Sequence, residues 1–247
     1  MFYILTASAD TYITNKILQN KFRATDANVG MAGTLDLFKL YDESSFIESG
    51  TRITSSVEEI SRILIKFDYS NLVPLTSQSL DINSPSFKAM LRLTEVPSGT
   101  PVPLNFNIVG YPLAVKFDEG SGRSTSQFSD VDTTNFITAS ITAGSPSLWN
   151  VSGSGQGGYL NSSNIDYITS GAIGGSEIDF GSSQYFEDGP GDIELDITKV
   201  VSSSLANNIT NNGFRLTFSG SDESDTKTRF VKRFVSRHSK NKLLSPR

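Results

Sequence analysis

The residues best suited to chemistry in this chain are carboxylates. Asp118, Glu119, Asp130 and Asp132 fall within fifteen residues that also carry glycines. That is the company a calcium ion keeps, because a hard cation gathers several oxygens from loop acids and carbonyls. The spacing matches no EF-hand loop, and solvated acids that cap turns are the plainer alternative. Two of these acids could instead work as a glycosidase pair, although nothing in the sequence says which two converge. Other catalytic chemistry is thinly supplied. The chain has no cysteine and a single histidine, His238. Thiol nucleophiles, zinc–thiolate sites and disulfides are therefore excluded, and any serine triad would have to run through that one imidazole. The expectation is a protein that is not an enzyme and carries no cofactor, calcium aside. The GSGQGG run at 153–158 lacks the flanking strand, helix and lysine of a phosphate-binding loop and reads as a turn. Trp149, Tyr159 and Tyr167 could make a stacking platform for a sugar; a lone Trp in a sandwich is otherwise a core or rim anchor.

Charge is the second signal. The net charge is −5, but all 26 acidic residues lie at or before Asp225. Eight of the 21 basic residues follow it, so residues 1–226 carry −13 and the remainder +8. An exposed strand face with a solvated tail is one reading of that basic end. The sharper one is a docking element for an acidic protein surface, with Lys232, Arg233, Arg237, Lys240 and Lys242 as the contact residues. Nucleic acid is not an expected partner, because the acidic body would repel phosphate. No run of about 18 apolar residues exists to span a membrane, and the N-terminus lacks the basic region of a signal peptide.

The elements that must position these residues read as strands. A chain of 247 residues with 20 Gly and 9 Pro, rich in Ser, Thr and Asn, favours many short strands joined by turns. Period-two alternation marks 34–41, 62–67 (with Ile63, Ile65 and Phe67 on one face), 88–96, 104–109, 112–117 and 193–197. Residues 42–56 read as a loop or an excursion. Thr198 could cap a short helix with Val200, Val201 and Leu205 turned inward. Between 118 and 180 periodicity is weak, with short strands expected near 137–141, 167–170 and 177–180. The stretch 213–237 places two apolar runs around the acidic segment 219–225. It reads as a β-hairpin with a charged tip at Asp222, Glu223 and Asp225. The sum is an antiparallel β-sandwich of jelly-roll type with long loops and at most one or two short helices. One domain covers 1–239, and 240–247 forms a basic, unanchored extension.

Several pieces in this order resemble the DNRLRE-like jelly-roll domains, which are related to carbohydrate-binding modules. They are DTYI at 10–13, ANVG and LDLFKL within 27–40, RILIKFDYSNL at 62–72, AMLRLTEV at 89–96 and LAVKFDEGSGR at 113–123. Trp149-Asn150 before a Gly-rich turn, IELDITKVV with NNGFRLTF within 193–218, and FVKRFVSRHS at 230–239 complete the set. The fuller pattern, particularly DEGSGR, DVDTTNF and the SGSDESDT…FVSRHS ending, resembles the form found in virion proteins of tailed marine bacteriophages. The resemblance implies a virion location in a tail, neck, baseplate or fibre. It implies other virion proteins as partners, symmetric or homo-oligomeric assembly, and no catalysis. Its carbohydrate-binding relatives imply the alternative, recognition of a host cell-surface glycan.

Overall fold

The computed structural model describes residues 2–19, 22–97, 104–125 and 133–247. Asp130 and Asp132 therefore lie outside the described residues. The chain forms β1 (Ala7–Thr14), β2 (Ile17–Leu18), β3 (Phe22–Arg23), β4 (Thr34–Glu48), β5 (Thr51–Phe67), α1 (Val73–Thr76), β6 (Met90–Leu93) and β7 (Phe106–Pro112). Then come β8 (Thr138–Thr142), β9 (Ser145–Leu148), β10 (Gly157–Tyr159), β11 (Tyr167–Ile173), β12 (Ser176–Asp179), β13 (Ser182–Phe186) and β14 (Ile193–Asp196). The C-terminal part carries α2 (Thr198–Leu205), β15 (Phe214–Phe218), α3 (Gly220–Ser224), β16 (Arg229–Val235) and a single 3-10 turn at Lys242–Leu244. Among the described residues the helices are few and short, and α3 forms at the expected charged tip. Among the described residues no helix is long and apolar enough to cross a membrane.

The fold is an all-β antiparallel sandwich. One sheet runs β13-β7-β15-β5-β1, with Ile65 flanked by Phe214 on one side and Asp10 on the other. The second begins with β4 against β16. Backbone hydrogen bonds from Val235 to Thr94 and from Val96 to Arg233 join β16 to the end of β6, which pairs with β14. Alternation decides what lies between the sheets. Leu35, Leu37, Leu91, Leu93, Ile193, Leu195 and Phe234 face Ile63, Ile65, Phe106, Ile108, Phe214, Leu216 and Phe218, and all are buried. Phe106 stacks on Phe186 at 5.0 Å and meets the Phe218 edge at 5.6 Å. Val200, Val201 and Leu205 of α2 pack into this core as the sequence predicts. Thr198 does not cap that helix. Its hydroxyl accepts the Ala89 amide, which ties the helix start to β6. A smaller cluster lies behind the first sheet, where Ile13 and Leu64 meet Leu113, Phe117, Ala139 and Trp149.

Three local expectations are resolved by the structure. The runs 214–218 and 229–235 are strands, but they do not pair. β15 lies between β5 and β7 in the first sheet, while β16 joins β4 in the second. The segment between them is an arch across the edge of the sandwich. Alternation identifies a strand and its buried face, but it does not say which strand is its neighbour. Residues 42–56 are an excursion of paired strands rather than a loop. β4 and β5 pair without interruption from Lys39–Ile60 to Glu48–Thr51, around a turn in which Ser49 and Gly50 both have positive φ, 50° and 80°. Two such residues make the tight turn that matches strand twist. Of the two strand candidates at 104–109 and 112–117, only one strand forms, at Phe106–Pro112.

The termini are tied to the body. The Ala7 amide bonds the Pro246 carbonyl, and Arg92 and Arg247 exchange both backbone hydrogen bonds. Pro246 is thus tied to β1 and Arg247 to β6, so the segment is anchored there rather than loose.

Candidate functional site

The carboxylates that sequence singles out lead to a buried clasp at one end of the sandwich. It is built where residues 27–30 (ANVG) meet residues 118–123 (DEGSGR). The Asn28 side chain donates to the carbonyls of Glu119 and Thr134 and accepts from the amides of Gly30 and Gly122. This backbone-to-backbone approach explains two glycines. A Cβ on Gly30 would lie 1.9 Å from the Glu119 carbonyl oxygen, and one on Gly122 equally close to that of Asn28. The lock fixes Glu119. Its carboxylate takes a two-pronged contact from the Arg237 guanidinium at 2.6 and 2.7 Å, the Asp10 amide at 2.8 Å and His238 Nε2 at 3.1 Å. Asp10 Oδ2 in turn accepts the Arg237 amide at 2.6 Å.

The two acids differ in ionisation. Burial pushes the Asp10 carboxyl up to about 7; the Arg237 amide opposes that rise and the Glu119 charge adds to it. Burial also pushes Glu119 upward, but the Arg237 guanidinium, the Asp10 amide and His238 more than offset it and hold Glu119 below the ordinary range. Asp10, Glu119 and His238 bring one ligand atom each within 4.8 Å of one another, and Asp10 Oδ1 is buried without a partner. The donor set still does not suit a cation. Glu119 Oε1 already accepts three donors, and the Arg237 charge occupies the place a metal would take. Asp118 and Glu119 are turned to separate partners, while Asp130 and Asp132 of the expected calcium set lie outside the described residues. Asp118 Oδ1 pairs with Lys116 at 2.9 Å and Oδ2 accepts the Ile141 amide. The same distribution removes them as a hydrolase pair. Asp10, with 1% of its surface exposed, is closed to substrate.

A second set of charges fills the arch between β15 and β16. Glu223 of α3 is held by Arg62 at 2.8 and 3.0 Å, with Arg215 at 3.6 Å, and Arg62 also bonds the Gly153 carbonyl. Burial raises the Glu223 carboxyl, and Arg62 and Arg215 reverse that to a net lowering. Burial pushes the Arg215 guanidinium down to about 10, helped by Arg62. Beside it, Arg229 joins Asp222 and Asp225 at 2.9 and 2.6 Å, while Lys39 reaches Asp225 at 3.0 Å. The contact with Arg229 puts the Asp225 carboxyl far below its usual range. Asp222, Glu223 and Asp225 are therefore internal counter-charges and not an outward tip.

The expected basic contact surface divides. Lys232 is buried; its Nζ bonds Glu95 at 2.7 Å and the Gly189 carbonyl at 3.0 Å over the Phe186 ring. It cannot meet a partner, because β16 turns it inward between the sheets. Arg233 is exposed and pairs with Asp36 at 3.3 Å. Arg237 belongs to the clasp. Lys240 and Lys242 are exposed.

The aromatic platform does not form. Trp149 is 5% exposed and donates its indole N–H to the Asn135 carbonyl, so it is a core anchor. The turn after it is organised by buried Asp166, which accepts the amides of Asn150, Val151 and Gln156. Tyr167 lies under the Arg215 guanidinium at 4.4 Å and beside Tyr111, and Tyr159 is exposed with its hydroxyl on Glu177. A different concavity of about 260 Å³ has Asn161, Asn164, Asn208 and Asn212 on its rim, above Leu113 and Ile209. It has no charged lining residue.

Asp10, Asn28, Arg62 and Asp166 were not singled out in the sequence. Asp10, Asn28 and Arg62 act on residues far along the chain, Asp166 on a turn 10 to 16 residues back, and no local spacing marks any of them. No family model matches this chain, and comparison with curated proteins returns no match.

Proposed function

We propose that the protein is a non-catalytic structural component of a tailed-bacteriophage particle. In this reading it serves a tail, neck, baseplate or fibre through contacts with other virion proteins, as its resemblance to DNRLRE-like virion domains implies. The observation that supports this reading best is the outer part of the β4–β5 ribbon. Residues 42–48 and 51–57 pair only with each other among the described residues. They leave the body with both edges open. An isolated two-stranded ribbon is marginal in water and an open strand edge invites pairing, so such an arm makes sense as a contact element. Glu95, Glu119, Asp222, Glu223 and Asp225 are committed to ion pairs within the fold, which supports contact over turnover. The direct test is mass spectrometry and cryo-electron microscopy of purified particles from the source phage. The chain should be present in stoichiometric amount with its arm against a neighbour. Its absence from intact particles would end the proposal.

One observation favours a second reading, glycan recognition. The asparagine-rimmed concavity offers neutral amide donors and acceptors over an apolar floor, which suits the hydroxyls and C–H faces of a saccharide. A glycan array decides it: binding lost on Asn208→Ala supports this reading, and silence across the array removes it.

A further inference from the structure

We infer that the acidic arm of one copy docks on the exposed cationic end of a second copy, so that the chains join head to tail. The inference rests on the structural reading above and names the partner for it.

The geometry is set by one strand. β4 runs 15 residues, Thr34–Glu48, or roughly 50 Å at the rise of an extended chain. Its first residue pairs with Val235, two residues before Arg237 of the clasp. Its last residue is at the arm tip. The two ends of the molecule therefore lie at opposite ends of β4, and their exposed charges have opposite sign.

On the arm, Asp42, Glu43 and Glu48 are exposed, against one base, Arg52; Glu58 at its root pairs with Lys39 at 3.6 Å. Beyond the clasp, Lys240 and Lys242 are exposed, and Lys242 also donates to the Arg237 carbonyl. Most of the other late cations are spent within the fold, on Asp222, Asp225, Glu95, Asp36 and Glu119.

Charge also excludes the simplest alternative. Two arms lying side by side would set acid against acid, which opposes an isologous pair. Arm against cationic end is heterologous, and such a contact closes into a ring or continues as a stack according to its rotation. The arm gains the cover that a lone ribbon lacks, and the arm tip adds Ile47, 77% exposed, as an apolar contact.

Sedimentation of the intact chain over a range of concentrations, at low and high salt, tests this. The wild type should self-associate, less strongly in high salt. The variant Asp42→Lys/Glu43→Lys/Glu48→Lys should weaken association by at least about tenfold, as should Lys240→Glu/Lys242→Glu, equivalent to about 1.4 kcal/mol. Melting temperatures near that of the wild type show that both variants remain folded. The two variants mixed should associate again, because each then offers the charge the other lacks. A wild type that stays monomeric overturns the inference, as does a mixture that fails to recombine. A chain present in purified particles but monomeric in solution overturns this docking and leaves the structural role standing; absence from particles removes that role whatever the sedimentation shows.

Discussion

β4 and β5 each lead two lives. In the sandwich, residues 34–39 of β4 and 61–67 of β5 lie in opposite sheets, and Leu35, Leu37, Ile63 and Ile65 are at most 1% exposed. Past Lys39 and Ile60 the same strands leave those sheets and pair with each other, and the side chains turn outward. Backbone pairing continues across the boundary, yet the burial that holds the fold together stops there. Hydrogen-bonded strand geometry is thus separable from stability, which comes from the apolar area removed from water. The strongest way to break this comparison is Leu37→Ala. It leaves a cavity in the main core and should cost roughly 3–5 kcal/mol in chemical denaturation. A loss below about 1 kcal/mol would mean that the sandwich half is no better packed than the arm.

The clasp sharpens the contrast through pH. The Asp10 carboxyl sits near 7 in the folded chain, well above its ordinary value of 3.8, because burial disfavours the charge. A carboxyl raised on folding stabilises fully below about pH 4, loses that contribution as pH climbs toward 7, and changes little beyond. Asp10→Asn keeps an acceptor for the Arg237 amide without the buried charge. It should therefore gain about 3–4 kcal/mol on the wild type between pH 4 and 8. Glu223 and Asp225 are lowered on folding, so their contribution is lost on the acid side and cancels in the comparison, whereas Glu119 is coupled to Asp10 through its charge and through Arg237 and belongs to the same effect. Urea midpoints measured across that window check it; parallel wild-type and variant curves would refute the assignment.

Third comes the arch. Glu223→Gln leaves Arg62 and Arg215 side by side with their shared counter-charge gone, while Arg215 Nε already lacks a partner. Removing one member of a buried ion cluster strands the others, and about 3 kcal/mol should be lost. Restoring stability with Arg215→Met in the same chain would tie the loss to the stranded charge. If the double variant is as unstable as the single one, the loss comes from packing of α3.

How far the sequence could reveal all this follows from the same division. The runs at 88–96 and 193–197 are legible because each has one buried and one more open face, so alternation is written into the residue types; at 62–67 both faces are buried, and the pattern shows only because Arg62 and Lys66 fall on the same face. Residues 42–56 have no buried face; polar side chains occupy both sides and the period vanishes, although the strands are long. The two apolar runs at 214–218 and 229–235 were legible as strands, but their neighbours were not, since pairing with β5, β7 and β4 is settled across as many as 200 positions of chain. Glu119 stood out by its company of acids. Its real partners, Asp10, Arg237 and His238, are each more than 100 residues away. The acids at 222–225 looked like a solvated tip because composition records charge and not the counter-charge that folding brings to it.

The smallest effect completes the comparison. Ile47 lies on the same strand as Leu37, ten residues on, and is 77% exposed where Leu37 is fully buried. Ile47→Ala removes apolar atoms that water already reaches in the isolated chain, so its thermal and chemical unfolding should shift by less than about 0.5 kcal/mol. The head-to-tail contact does bury that side chain, and the same variant should weaken self-association in sedimentation while leaving the melt alone. The pairing of results matters more than either one. A variant neutral in both measurements would show that the arm tip meets nothing. A variant that unfolds more easily would show that the tip is packed within its own chain, and the division of β4 into a structural half and a contact half would fail.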